Sequence, residues 1–186
     1  MDISHGLDHR GRVAPVRTLV VGAHPEMEAL LDERAARGLD LWDEVWEGVY
    51  VMVPFAHSRH GVVKSDLVYA VEGQARRAGL QGGDSFNLGE PDDYRVPDAG
   101  WHHGPTSRLY VPTAAIVLEV RSPDDDTFRK FDFYAAHGVD ELLVAEPLAR
   151  TVRCWHLLDG GYVEADRSVL LDLAMADLVA EVRWPD

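Results

Sequence analysis

Apolar positions recur along this chain at two spacings, and those spacings mark out its elements. Over residues 24–38, Met27, Leu30 and Leu31 fall at helical intervals and Gly38 supplies a stop, which predicts a helix. The apolar run at residues 45–53 predicts extended chain with a bend at Gly48. A second helix is predicted over residues 58–78, where Val63, Leu67, Val71, Gln74 and Ala78 keep the spacing and Arg76, Arg77 and Gly79 suit the end. Residues 81–94 are rich in Gly, Asp and Pro and read as turns, with a short strand near Phe86. Strands are predicted at residues 95–100 and 114–122, separated by a loop over 102–113. Residues 124–137 read as a helix ending at Gly138, followed by strands at 141–146, at 151–157 and near Tyr162. The end of the chain keeps neither rhythm. This order of helix, strands, helix and strands is that of an α/β or α+β fold, a mixed central sheet flanked by helices.

Composition adds limits. A chain of 186 residues with 46% hydrophobic positions can bury one core, so residues 16–186 are expected to form a single domain. Residues 1–15 carry Asp2, His5, Asp8, His9 and Arg10 without an apolar stretch and read as a flexible lead-in, not a secretory signal. No apolar run, Ala114 to Leu118 included, comes near the roughly 20 residues that cross a membrane. Cys154 is the one cysteine, so an internal disulfide and a cysteine-based zinc site are both excluded; it reads as a core residue, and a cytoplasmic location is expected. The net charge of −14 opposes nonspecific binding to a duplex, where neutralised phosphates supply most of the affinity. It suits carboxylates grouped for divalent cations.

The strand at 114–122 carries the chemistry. An apolar run covered on both faces contains Glu119 and Arg121, two positions apart and therefore on one face, roughly 6–7 Å from each other. A buried carboxylate needs a cation or an ion pair, and a Glu119–Arg121 pair is one way to supply it. Asp98 follows Pro97, which cannot donate to a ladder, so this strand is expected to be an edge, bent or bulged there. Such a bulge re-aims Asp98 towards Glu119. Two carboxylates that meet repel unless a divalent cation joins them. His57 and His60 form an i, i+3 pair without a third local ligand for zinc. His102 and His103 read as exposed loop residues. Glu90, Asp92 and Asp93 read as a solvated turn, and Asp124, Asp125 and Asp126 as helix N-terminal charges. No P-loop, GxGxxG or GxSxG motif is present, which leaves nucleotide hydrolysis and serine esterase chemistry unsupported.

Several stretches in order resemble one family: Leu39 to Tyr50, His60, Arg95-Val96-Pro97-Asp98, Glu119-Val120-Arg121-Ser122-Pro123, Lys130, Tyr134 and Gly138-Val139-Asp140-Glu141. The chain resembles the Uma family of restriction endonuclease-like proteins, within the PD-(D/E)XK nuclease superfamily, from about Arg17 to its end. The resemblance implies a restriction-endonuclease-like core and metal-dependent hydrolysis of phosphodiesters, with DNA as the nucleic-acid partner. It implies that Asp98, Glu119 and the Val120 carbonyl hold Mg²⁺ or Mn²⁺, with Glu44 at an additional acidic position. Arg121 stands where the motif has Lys, and arginine cannot act as a base. Lys130 is therefore preferred as the functional lysine, with Tyr134 one helical turn on along the same stripe. A homodimer would suit cleavage of both strands, and Trp42 or Trp46 would contribute to it if exposed. The competing readings are a nuclease-fold interaction or nucleic-acid-binding module without catalysis and, more distantly, a phosphoesterase for small substrates.

Overall fold

The computed structural model describes residues 18–20, 25–53, 58–122 and 127–185. The expected lead-in at residues 1–15, His57 and the run Asp124-Asp125-Asp126 lie outside them. The chain divides into two compact units between Phe55 and Ala56.

The first unit holds strand β1 (Thr18–Val20), helix α1 (Pro25–Ala36) and a hairpin of β2 (Glu44–Trp46) and β3 (Val49–Met52). β3 pairs antiparallel with both β1 and β2. The hairpin turn is Glu47-Gly48, both at positive φ (51° and 79°). That is the two-residue turn whose twist matches paired strands. Asp43 anchors the unit. Its buried carboxylate accepts from Arg34 Nη2 at 2.6 Å, Tyr50 OH at 2.9 Å and the Val53 amide at 2.8 Å. The Arg34 guanidinium is raised above its ordinary value by the Asp43 hydrogen bond.

The second unit begins with helix α2 (Ser58–Arg77), whose apolar stripe buries Val63, Leu67, Val71 and Ala75. Three short strands follow: β4 (Gln81–Asp84), β5 (Asn87–Glu90) and β6 (Asp93–Arg95). Then come β7 (Ala99–His102), β8 (Tyr110–Val111) and β9 (Ile116–Val120). A 3₁₀ turn (Thr127–Lys130) leads into helix α3 (Phe131–Ala136), and β10 (Glu141–Glu146), β11 (Thr151–Leu158) and β12 (Gly161–Ala165) complete the main sheet. A small hairpin, β13 (Arg167–Ser168) and β14 (Leu173–Ala174), precedes helix α4 (Met175–Glu181).

The main sheet runs β12-β11-β10-β9-β7-β4 and is mixed, with only β9 and β10 parallel. Strand alternation sends side chains to two cores. Ile116, Leu118, Val120, Leu143, Ala145 and Cys154 face α2 and α4, while Val117, Leu142, Val144 and Trp155 pack with Tyr134 of α3. Helices on both faces of a mixed sheet are the expected α+β arrangement.

Several expectations are corrected. Residues 81–94 were expected to be mostly turns; they contain two strands and open a third. Gly82, Gly83 and Gly89 there all adopt positive φ, so turn residues sit inside the ladders. The strand expected at 95–100 starts at Ala99 and is not an edge: β7 lies between β4 and β9, and Pro97 stays outside the ladder. The irregular step lies instead in the β4–β7 pairing, between Gly82 and Asp84. The 102–113 loop contains β8, which pairs parallel with β5. Trp42 and Trp46 are half-buried.

Asp66 of α2 clamps the C-terminal segment, accepting from the Arg183 amide at 2.9 Å and from its guanidinium. The Arg183 hydrogen bond lowers the Asp66 pKa against the opposing effect of burial. A depressed carboxylate contributes stability that is complete above its unfolded value, near pH ~4, and is lost as pH falls through the folded value. Acid melting should show this: Asp66→Asn is expected to flatten the fall in Tm below about pH 4.

Candidate metal and phosphodiester site

Glu119 occupies the fourth position of β9, five per cent exposed, on the face that looks towards α3. Burial demands compensation, and the 3₁₀ turn together with α3 supplies it. Lys130 Nζ donates to Glu119 Oε1 at 3.1 Å and the Tyr134 hydroxyl donates to the same oxygen at 2.5 Å. The four-residue spacing of Lys130 and Tyr134 explains how both reach one acceptor.

Asp98 lies immediately before β7. The β7–β9 register pairs Ala99 with Leu118, so one further step brings Asp98 opposite Glu119. Its carboxylate is held at both oxygens. Oδ2 accepts the Val120 amide at 2.7 Å, and Oδ1 lies 2.6 Å from Nε2 of His60, in the first turn of α2. In an extended strand the N–H and C=O of one residue leave on the same side, so the Val120 carbonyl also faces the Asp98 side. The other His60 nitrogen lies 3.4 Å from Ser122 Oγ.

Asp98, Glu119 and the Val120 carbonyl are hard oxygen donors from adjacent strand ends. Such a set, few in number, suits Mg²⁺ or Mn²⁺, which keep several waters. Lys130 and Tyr134 place a cation and a hydroxyl beside it.

Arg121 is oriented elsewhere. It shares the Glu119 face by alternation, yet its guanidinium donates to Glu146 of β10 at 2.8 Å and lies 4.7 Å from the Phe128 ring centre. Arg153 of β11 donates to the other Glu146 oxygen at 2.6 Å. Glu44 is a buried residue of the first unit that accepts the Trp46 Nε1–H at 2.7 Å. His102 is not a loop residue: it closes β7, half-buried against the edge of Phe86, and burial lowers its pKa. His103 is exposed, 2.7 Å from Asp140.

Sequence reasoning missed three neighbours of Asp98. Ser85 Oγ donates to the Asp98 carbonyl at 2.8 Å, Lys64 Nζ donates to Ser85 Oγ at 2.9 Å, and Ser122 faces His60. Lys64 was findable, because it lies one turn after His60 on α2. Ser85 carried no signal within its glycine-rich surroundings.

A mixed sheet sandwiched by helices, with Asp98 and Glu119 at the ends of neighbouring strands, defines a restriction-endonuclease-like fold. The chain belongs to the Uma2 family, described as "Putative restriction endonuclease", whose profile matches residues 35–184. Among solved structures it is similar to a protein of Anabaena variabilis ATCC 29413, described as a "putative nuclease belonging to DUF820". The TM-score is 0.61 at 15% identity, covering 75% of this chain and 90% of that one. A comparison with curated proteins finds no match. Among the described residues, no helix is long and apolar enough to cross a membrane.

Proposed function

We propose that this protein is a metal-dependent nuclease that hydrolyses phosphodiester bonds of DNA. One observation carries the reading: the β7–β9 register sets Asp98 opposite Glu119 at neighbouring strand ends, with Lys130 and Tyr134 converging on Glu119. Asp98, Glu119 and the Val120 carbonyl would hold Mg²⁺ or Mn²⁺. A divalent cation in this set supplies Lewis acidity, polarising a phosphodiester oxygen and acidifying water.

The chain's own groups do the rest. Lys130 offsets negative charge as it develops on the scissile phosphate. Tyr134 fixes the orientation of Glu119, and His60 with the Val120 amide fixes Asp98, so the carboxylates need no reorganisation when substrate arrives. Arg121, neutralised by Glu146, does not serve as the base. A homodimer of the chain would supply a second centre for the opposite strand.

A second reading, a nuclease-fold binding module without catalysis, is favoured by the net charge of −14. The two separate by experiment. The purified chain is expected to nick supercoiled DNA with Mg²⁺ or Mn²⁺ and to stop when the cation is chelated.

A further inference from the structure

A different cluster lies on the opposite face of the main sheet. Cys154 and His156 are two apart on β11 and therefore share a face, and Glu141 of β10 pairs directly with His156. One ligand atom from each of these three residues lies within 4.8 Å of the other two, a grouping unique among the described residues. Their face is that of α2 and α4, since Leu143 and Cys154 belong to that core. Glu119 faces α3 instead and pairs with Val144, three residues along β10 from Glu141, or roughly 10 Å. This cluster is therefore distinct from the one around Asp98 and Glu119.

We propose that Glu141, Cys154 and His156 form a binding site for a single Zn²⁺ ion. The donors are one thiol sulfur, one imidazole nitrogen and one carboxylate oxygen, the mixed set that zinc takes in tetrahedral sites with a fourth position for water. Thiolate and carboxylate together balance the charge of the ion.

Glu141 retains capacity for it. Its Oε1 accepts the amides of Val169 at 2.8 Å and Leu170 at 3.0 Å, and its Oε2 accepts the Ser168 hydroxyl. A carboxylate offers about four lone-pair sites, so one on Oε2 remains. The three donors already hold the group in place, and the Arg167 carbonyl, 2.9 Å from His156 Nε2, accepts the hydrogen of that nitrogen and leaves Nδ1 for the ion. An open cavity of about 590 Å³ reaches two of the three residues, Glu141 and His156, and Cys154 is buried beneath it. Burial first, and then the Glu141 charge, push the Cys154 thiol up to about 12. A cation at this point removes that opposition, displacing the thiol proton to solvent.

Cys154 is the sole cysteine, which makes the test specific. Co²⁺ added to the metal-free full chain should give a thiolate-to-cobalt charge-transfer band in the near ultraviolet, bleached by one equivalent of Zn²⁺. Cobalt at Asp98 and Glu119, an oxygen set, gives no such band. Cys154→Ser should abolish the band, and His156→Gln should weaken Zn²⁺ binding by about 100-fold in a chelator competition. His156 is partly exposed, so His156→Gln keeps the test informative if the buried serine variant misfolds; circular dichroism checks both. Cobalt binding without the band in wild type, or Zn²⁺ affinity unchanged in His156→Gln, would overturn the site.

Discussion

Lys130→Met is expected to slow metal-dependent DNA cleavage by about 10²–10⁴-fold, the range lost with a positioned acid–base or charge-stabilising group. Arg121→Met is expected to leave the rate within a few-fold of wild type. The contrast follows from where each cation is committed. Lys130 Nζ is on Glu119 Oε1, whereas Arg121 is on Glu146 and the Phe128 face. Glu146 keeps Arg153 when Arg121 is removed, so no buried charge is stranded there. Glu119 in Lys130→Met keeps the Tyr134 hydroxyl, and the fold should survive. Steady-state cleavage with circular dichroism on each variant checks this. A larger loss in Arg121→Met than in Lys130→Met would reverse the assignment.

The largest loss of stability is expected from Gly82→Ala in β4. Gly82 adopts φ +148°, and a Cβ there would lie 2.1 Å from the Gly100 carbonyl oxygen and 2.9 Å from the Trp101 Cα. Both contacts are backbone of β7, so no side chain can rotate away. A strained backbone conformation alone costs about 1–3 kcal/mol. The clash adds to it, and a total of about 3 kcal/mol or more corresponds to a Tm lower by roughly 6–12 °C in a chain of this size. Gly61→Ala is the control. It lies in α2 with nothing within 4 Å of the added carbon, and should raise stability by up to about 1 kcal/mol. Thermal melting decides it: equal Tm values for Gly82→Ala and wild type would show that β4 gives way freely.

The elements easiest to read in the sequence are those whose side chains carry the pattern. β10 was expected at residues 141–146 and spans Glu141–Glu146, because a strand buried on both faces is apolar throughout. The helix stops at Gly38, Gly79 and Gly138 were legible too, and all three adopt positive φ. β4, β5 and β6 were not, since they are held by backbone pairing across Gly82, Gly83 and Gly89, residues that signal turns. In the site, the shared face of Glu119 and Arg121 followed from alternation alone. Their different partners did not: Glu146 comes within reach of Arg121 only through the parallel pairing of β9 with β10, which local spacing does not encode. The same limit hid the Glu141 cluster. The spacing of Cys154 and His156 was visible, but the β10–β11 register that adds Glu141 was not.

The central claim is that Asp98 and Glu119 hold a catalytic cation against a DNA phosphodiester. It is tested most directly by cleavage of plasmid DNA with Mg²⁺ and with Mn²⁺, comparing wild type with Asp98→Ala and Glu119→Ala, each verified as folded. Wild type should cut only with the cation present, and both variants should lose about 10³-fold or more, as when the main electrostatic contribution to a transition state is removed. Equal activity in all three proteins, or no cleavage by wild type with either cation, would contradict it.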